Sequence, residues 1–149
     1  MKVIVGLGNP GPRYRRTRHN VGFDVLEELG RRFGGVASRK RFDAEIGELN
    51  VEETRLLLVA PQTFMNNSGQ AVGQLLDFYK LDPVQVLIVC DDLNLPLGRL
   101  RVREHGSAGG QKGPADILMR RRTLEVARLS IGIGHTPPRR AADRPGGQR

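Results

Sequence analysis

The chain has 149 residues, one cysteine, three histidines and a formal net charge of +8, and its longest apolar stretches are only strand-sized. These properties exclude a membrane span, an intramolecular disulfide and a zinc-type ligand set, and they fit one compact cytoplasmic domain without metal or cofactor. The positive charge favours nucleic acid as the partner, because lysine and arginine release the counterions condensed on phosphates, although many basic proteins bind none.

Strands and helices are predicted to alternate along the chain. The apolar stretches at residues 2–7, 43–49, 55–60, 86–91, 98–103 and 126–133 are typical of strands. Amphipathic helices are predicted from the N-cap Asn20 to Phe33, from about 66–68 to just before Asp82, and around 114–121. The strands at 43–49 and 55–60 are too close in sequence for a crossover helix and should form an antiparallel hairpin. The pattern predicts a single-domain α/β fold with a mixed, mostly parallel central sheet flanked by helices.

The composition changes near the C-terminal end of the sequence. Residues 136–149 contain no apolar residue larger than alanine or proline, so burial cannot order them. Their four arginines and one aspartate give a net +3 and leave +5 on residues 1–135. We therefore expect a domain over residues 1–135 followed by a disordered basic tail.

A glycine motif, Gly6-Leu7-Gly8-Asn9-Pro10-Gly11, follows the first predicted strand and matches the G-x-G-x-x-G pattern of dinucleotide-binding turns. In such turns the helix begins within the motif, whereas here the prolines and a polar stretch delay it to about Asn20. The position about 20 residues further on, where an acidic side chain should end a second strand, falls within the predicted helix. The motif therefore does not indicate a nicotinamide enzyme.

Two polar segments lie next to predicted strands and carry side chains suited to catalysis. His19 comes just before a helix, where it could be a base or an ordinary surface histidine. Asp91 and Asp92 end an apolar strand; adjacent residues face opposite sides, so at most one can enter a given cleft. Such a carboxylate could orient an imidazole, or it could simply cap the strand. Cys90 is predicted to be a core residue rather than a nucleophile.

Two further segments could contact a substrate. The stretch Thr63 to Gly69 contains Asn66 between a strand and a helix, where an amide could cap the helix or bind a ligand. The stretch Gly106 to Gly113 is glycine-rich and suits the approach of a phosphate or ribose, unless it is only a surface loop. It lacks the G-x-x-x-x-G-K-[ST] spacing, which disfavours ATP hydrolysis.

In their order along residues 1 to about 135, these segments resemble the bacterial-type peptidyl-tRNA hydrolase family. The residues that carry the resemblance are Gly6 to Gly11, Thr17 to Gly22, Thr63 to Gly69, Asp91 to Gly98, Gly106 to Gly110 and Leu129 to Gly134. The resemblance implies a monomeric, metal-independent hydrolase with a three-layer α/β fold. Its substrate would be peptidyl-tRNA, and its role would be to recycle tRNA in translation.

The resemblance also implies roles for individual residues. His19 would be the general base that activates water, and Asp91 would orient and stabilise it. Asn9 would distinguish a blocked peptide amine from a free one, and Asn66 would hold the peptide backbone or the attacking water.

Three further residues match family positions that contact tRNA. Tyr14 and Phe64 would pack against its 3′ end. Lys112 stands where the family has the asparagine of a His-Asn-Gly sequence, so it could contact a phosphate but could not accept a hydrogen bond.

One other departure and one alternative function follow from the resemblance. The family normally continues past Gly134 with a strand-like stretch and a C-terminal helix, where this chain has its Pro/Arg/Gly tail. The alternative is an RNA-binding protein of the same fold that has lost catalysis. The retention of His19, Asn66 and Asp91 argues against it, because a protein that only binds RNA has no need of a base and its carboxylate.

Overall fold

The computed structural model describes residues 1–11, 20–34, 38–63, 68–103 and 127–134. The predicted helix around 114–121, the domain boundary at residue 135 and the basic tail at 136–149 lie outside the described residues. These three expectations stay predictions.

Seven strands and two helices are present among the described residues. The strands are β1 Lys2–Gly6, β2 Arg39–Arg41, β3 Ala44–Val51, β4 Thr54–Pro61, β5 Val86–Asp92, β6 Leu100–Arg103 and β7 Ala127–Gly132; the helices are α1 Val21–Arg32 and α2 Ser68–Tyr79. A single 3₁₀ turn, Pro83–Gln85, precedes β5. All six predicted strands and the first two predicted helices are confirmed to within a few residues. The short strand β2 was not predicted.

The strands form one mixed sheet in the order β2-β3-β4-β1-β5-β7-β6. The four central strands are parallel to one another, with β1 between β4 and β5 and with β7 beside β5. The predicted hairpin of β3 and β4 is antiparallel and in register from Ala44 opposite Pro61 to Val51 opposite Thr54. The predicted α/β fold with a mixed central sheet is therefore confirmed.

The two helices cover opposite faces of the sheet. On one face, α2 packs on a core of buried residues: Val3, Val5, Leu7, Ala44, Ile46, Leu57, Val59, Ala71, Val72, Leu75, Leu76, Val86, Ile88 and Cys90. On the other face, α1 packs through Leu26 on Leu49 and Leu58. The predicted core position of Cys90 is confirmed, since only 1 % of the residue is exposed. No helix among the described residues has both the length and the apolar character to span a membrane.

Candidate active site

Three of the segments singled out in the sequence follow strands that point the same way. Because β1, β4, β5 and β7 are parallel, their carboxyl ends lie at one edge of the sheet. The glycine motif follows β1, the Thr63 to Gly69 segment follows β4, and Asp91 and Asp92 end β5. The fold thus directs residues that are far apart in sequence to a single edge.

The topology predicts a crevice at this edge, between β1 and β5. The connection that leaves β1 runs through α1 to the β4 side of the sheet, whereas the connection that leaves β5 runs to the β7 side. Open α/β sheets bind ligands where two neighbouring connections diverge in this way. Asn9 follows β1 and Asp91 ends β5, so these two residues flank the crevice.

The two adjacent aspartates of β5 have different surroundings. Cys90 belongs to the core beneath α2, so the alternation of the strand places Asp91 on the opposite face, the face that α1 covers. The Asp92 carboxylate accepts a hydrogen bond of 2.8 Å from the backbone N–H of Asn94, which closes the turn after β5. Asp92 therefore has a structural partner in the turn, and Asp91 is the carboxylate on the helix α1 side.

The first turn of α1 is seated directly on the ends of β1 and β5. A Cβ atom added to Gly22 would lie 2.4 Å from the carbonyl oxygen of Leu7 and 2.8 Å from that of Val89. Only glycine permits this approach, because real Cβ atoms do not come so close to backbone atoms. Val89 lies two residues before Asp91 on the same face of β5. The start of α1, which follows His19 in sequence, is therefore packed against the strand that carries Asp91.

The glycines of the G-x-G-x-x-G motif serve the packing of α1. A Cβ atom on Gly6 would lie 2.3 Å from the carbonyl oxygen of Gly22, and one on Gly8 would lie 2.9 Å from the ring of Phe23. Helix α1 begins at Val21, ten residues beyond Gly11, and does not start within the motif. These glycines thus bring a helix close to a strand, in agreement with the rejection of a dinucleotide-binding turn.

Asn20 occupies the N-cap position of α1, as predicted, but its side chain makes no hydrogen bond to the first turn of the helix. Its carboxamide instead binds the backbone of Asn9. Oδ1 of Asn20 accepts from the N–H of Asn9, and Nδ2 donates to the carbonyl oxygen of Asn9, both at 2.9 Å. The Asn20 side chain thus bonds the loop that follows β1 and not the first turn of α1.

Five of the seven residues predicted for the site lie outside the described part of the chain: Tyr14, His19, Phe64, Asn66 and Lys112. The structure describes the other two, Asn9 and Asp91, and both are half-buried. It places them at the ends of neighbouring parallel strands, on either side of the crevice.

Sequence reasoning overlooked a buried basic residue, Arg128 of β7, which lies opposite Ile88 on the α2 side of the sheet and away from the carboxyl ends of the strands. Burial lowers the pKa of its guanidinium, and its Nε atom has no hydrogen-bond partner in the structure as far as it is described. The register places Arg128 directly opposite Arg103 of β6. No sequence signal indicated this burial, because the apolar residues Ala127, Leu129 and Ile131 alternate with Arg128 and place it on the polar side of the strand pattern.

A cavity of about 430 Å³ lies on the α1 face, between α1 and the β3–β4 hairpin. Its lining includes Phe23, Leu26, Glu45, Leu58 and Gln62, and it includes neither Asn9 nor Asp91. Across the described ranges, no group of three or more histidine, cysteine, aspartate or glutamate side chains is arranged to hold a metal ion.

Comparisons with known proteins agree with this architecture. The family model for peptidyl-tRNA hydrolase matches residues 3–144. A peptidyl-tRNA hydrolase of Rhodopirellula baltica is 52% identical over 137 residues, which cover 92% of this chain and 72% of the relative. One of Brevibacillus brevis is 45% identical over 141 residues, which cover 95% and 75% of the two chains.

A solved structure shows the same fold. The crystal structure of peptidyl-tRNA hydrolase from Acinetobacter baumannii superposes with a TM-score of 0.86 at 38% identity, covering 93% of this chain and 71% of that one. The resemblance in the sequence motifs is thereby confirmed. With a family model matched over nearly its whole length and a shared fold, the chain belongs to the peptidyl-tRNA hydrolase family.

Proposed function

We propose that this chain hydrolyses the ester that joins a peptide to the 3′ end of tRNA, with His19 as the base that activates water. The observation that carries the proposal is the position of Asp91. This carboxylate lies on the α1 face at the end of β5, where the first turn of α1 is seated, and His19 precedes that turn by two residues in sequence. A carboxylate next to a histidine orients the imidazole and stabilises its protonated form.

The chemistry needs one base, one carboxylate and amide donors. The His19 imidazole takes a proton from water, and the water oxygen attacks the ester carbonyl carbon to form a tetrahedral oxyanion. The carbon–oxygen bond to the ribose then breaks, and the ribose oxygen receives the proton from the imidazolium. The products are free tRNA and a peptide carboxylic acid, which ionises to the carboxylate by releasing its proton to water, and no covalent enzyme intermediate forms.

Asparagine side chains supply the remaining contacts in this proposal. A positioned base contributes about 10²- to 10⁴-fold in rate, so donors near the carbonyl must contribute as well. Asn66 holds the peptide backbone or the attacking water. Asn9 contacts the blocked amine of the peptide and so distinguishes it from the charged amine of an aminoacyl-tRNA.

The nucleic-acid part of the substrate is bound by aromatic and basic side chains. Tyr14 and Phe64 pack against the ribose or base at the 3′ end, since aromatic rings stack on unpaired bases. Lys112 contacts a phosphate. Among the described residues, β6 contributes the exposed Arg101 and Arg103 at the outer edge of the sheet. Binding through such contacts weakens as the salt concentration rises.

The oligomeric state and the cellular location of the protein are proposed on the same basis. Every residue assigned to the site comes from one chain, which supports a monomer that acts in the cytoplasm, where its substrate arises. The alternative, an RNA-binding protein without catalysis, is not favoured, because the relatives named above are hydrolases and His19, Asn66 and Asp91 are all retained.

The test is the release of free tRNA from N-acetyl-aminoacyl-tRNA by the purified chain, with unblocked aminoacyl-tRNA as the control substrate. We expect cleavage of the blocked substrate only, and a loss of about 10²- to 10⁴-fold in His19→Ala. His135→Ala, outside the motifs that carry the resemblance, is the matched control and should cleave at the wild-type rate. A folded chain that binds tRNA but cleaves neither substrate would overturn the proposal in favour of the binding-only alternative.

A further inference from the structure

Asn20 is a buried polar residue whose hydrogen bonds are directed to one partner. Only 4 % of the residue is exposed, and a buried amide without partners would be unfavourable. Both ends of its carboxamide are bound to Asn9, eleven positions earlier in the chain. Asn20 therefore connects the start of α1 to the loop that follows β1.

The two hydrogen bonds restrain the backbone of Asn9 on both sides of its Cα atom. The N–H of Asn9 belongs to the peptide group before this atom, and the carbonyl belongs to the peptide group after it. One planar amide that binds both groups fixes their relative orientation. Since the backbone sets the direction of the Cα–Cβ bond, the two hydrogen bonds also fix the direction in which the Asn9 side chain leaves the backbone.

The two hydrogen bonds from Asn20 to the Asn9 backbone form a clamp. The end of α1 that carries Asn20 is itself held in place. Two residues after Asn20, Gly22 lies against the backbones of Leu7 and Val89, and a Cβ atom on Gly22 would overlap both. The space beside Gly8 is equally tight, since a Cβ atom there would lie 3.0 Å from Oδ1 of Asn20. The clamp thus fixes Asn9 relative to the packed part of the fold.

From this geometry we infer that Asn20 is a positioning residue, which directs the Asn9 side chain at the peptide end of the substrate. The inference rests on the proposed function, because it takes the role of Asn9 from there. A simple helix cap does not account for Asn20, since its side chain bonds Asn9 and not the first turn of α1.

The experiment compares Asn20→Ala, Asn9→Ala and the double variant for kcat and KM on N-acetyl-aminoacyl-tRNA and on unblocked aminoacyl-tRNA. Asn50→Ala, which changes an exposed asparagine in β3, is the control. We expect Asn20→Ala to lose about 10- to 100-fold in kcat/KM on the blocked substrate and to lose selectivity as Asn9→Ala does. The double variant should be no worse than Asn9→Ala, because the two residues act as a unit.

A second variant covers the case in which Asn20→Ala does not fold. Asn20→Asp keeps the oxygen that accepts from the Asn9 N–H but loses the donor to the Asn9 carbonyl. Its second carboxylate oxygen faces the Asn9 carbonyl oxygen, so Asn20→Asp should also lose selectivity, because two hydrogen-bond acceptors repel each other. Wild-type selectivity in folded Asn20→Ala or Asn20→Asp, or losses that multiply independently in the double variant, would overturn the positioning role.

Hydrogen exchange separates this inference from the proposed function. The Asn9 amide should exchange at least about 10-fold faster in Asn20→Ala than in the wild type, because it loses its acceptor. If the wild type proves inactive but the Asn9 amide exchanges faster in Asn20→Ala, the proposed function fails while the clamp is supported. If the exchange rate of Asn9 is unchanged, the clamp itself is refuted.

Discussion

The centre of the sheet and its β6 edge are built in contrasting ways. Strand β1 lies between two parallel neighbours with helices on both faces, and the polar groups of Asn20 beside it are satisfied. All four residues of β6 are exposed, including Leu100 at 64 % and Val102 at 68 %. Next to β6, the buried Arg128 keeps an Nε atom without a hydrogen-bond partner in the described structure.

This difference shows where the fold can hold a catalytic group precisely. At the centre, three glycines and two amide hydrogen bonds fix the loop after β1 against α1, so small displacements are resisted. At the β6 edge, side chains are exposed and their positions are weakly determined. Asn9 and Asp91, the two proposed site residues that the structure describes, lie at this centre, whereas the exposed arginines of β6 lie at the edge.

The largest expected effect compares a core residue with an edge residue. Ile88→Ala removes a fully buried side chain from β5 and should lower the free energy of unfolding by about 2–5 kcal/mol. Val102→Ala removes an exposed side chain from β6 and should change it by less than about 0.5 kcal/mol. Urea denaturation measures both, and equal losses in the two variants would contradict the proposed contrast.

A pair of glycine substitutions sharpens the comparison within the centre. Gly22→Ala places a methyl group against backbone atoms of Leu7 and Val89, which cannot move aside, and should cost about 1–3 kcal/mol. Gly73→Ala, in α2, meets no atom within 4 Å and should stabilise the protein by about 0.5–1 kcal/mol. The melting temperatures of the two variants should therefore shift in opposite directions, down for Gly22→Ala and up for Gly73→Ala. A stabilised Gly22→Ala would show that α1 does not pack against Leu7 and Val89 as described.

The smallest effect concerns the exposed end of α1. Hydrogen bonds from Arg31 and Arg32 lower the pKa of the Glu28 carboxyl to about 2. Because the folded-state pKa is depressed, the contribution is present above the unfolded value of 4.5 and is lost as the pH falls through about 2. Solvent screens this pair, so Glu28→Gln should shift the melting temperature only slightly at pH 7.

The pH dependence of that shift is the measurement. The difference between wild type and Glu28→Gln should be constant between pH 6 and 8 and should shrink below about pH 4.5. A difference that grows with acidity would have the wrong sign for a depressed carboxyl pKa.

Much of the fold could be predicted because burial leaves a pattern in the sequence. Apolar runs located six strands, and the short spacing between two of them identified the hairpin of β3 and β4. Strand β2, Arg39–Arg41, gave no such signal, because all three residues are exposed at the sheet edge, where charges discourage pairing with another chain.

The site was predictable only in part. Alternation along β5 showed that one aspartate at most could enter the crevice, but the packing of Cys90 beneath α2 was needed to place Asp91 on the α1 face. Asn20 was correctly placed at the N-cap of α1, but its side chain does not bond the first turn as N-cap asparagines commonly do. Its partner, Asn9, is set by the tertiary packing of α1 on β1, which no local pattern records.

The most direct test of the central claim is kcat/KM on N-acetyl-aminoacyl-tRNA for Asp91→Asn and Asp92→Asn, measured across pH. Asp91→Asn should lose about 10²-fold or more and shift the acidic limb of the profile to lower pH, because the histidine loses its carboxylate. Asp92→Asn keeps an oxygen for the Asn94 N–H and should stay within about threefold of the wild type. Equal losses in the two variants, or a larger loss in Asp92→Asn, would contradict the assignment of Asp91 to the catalytic site.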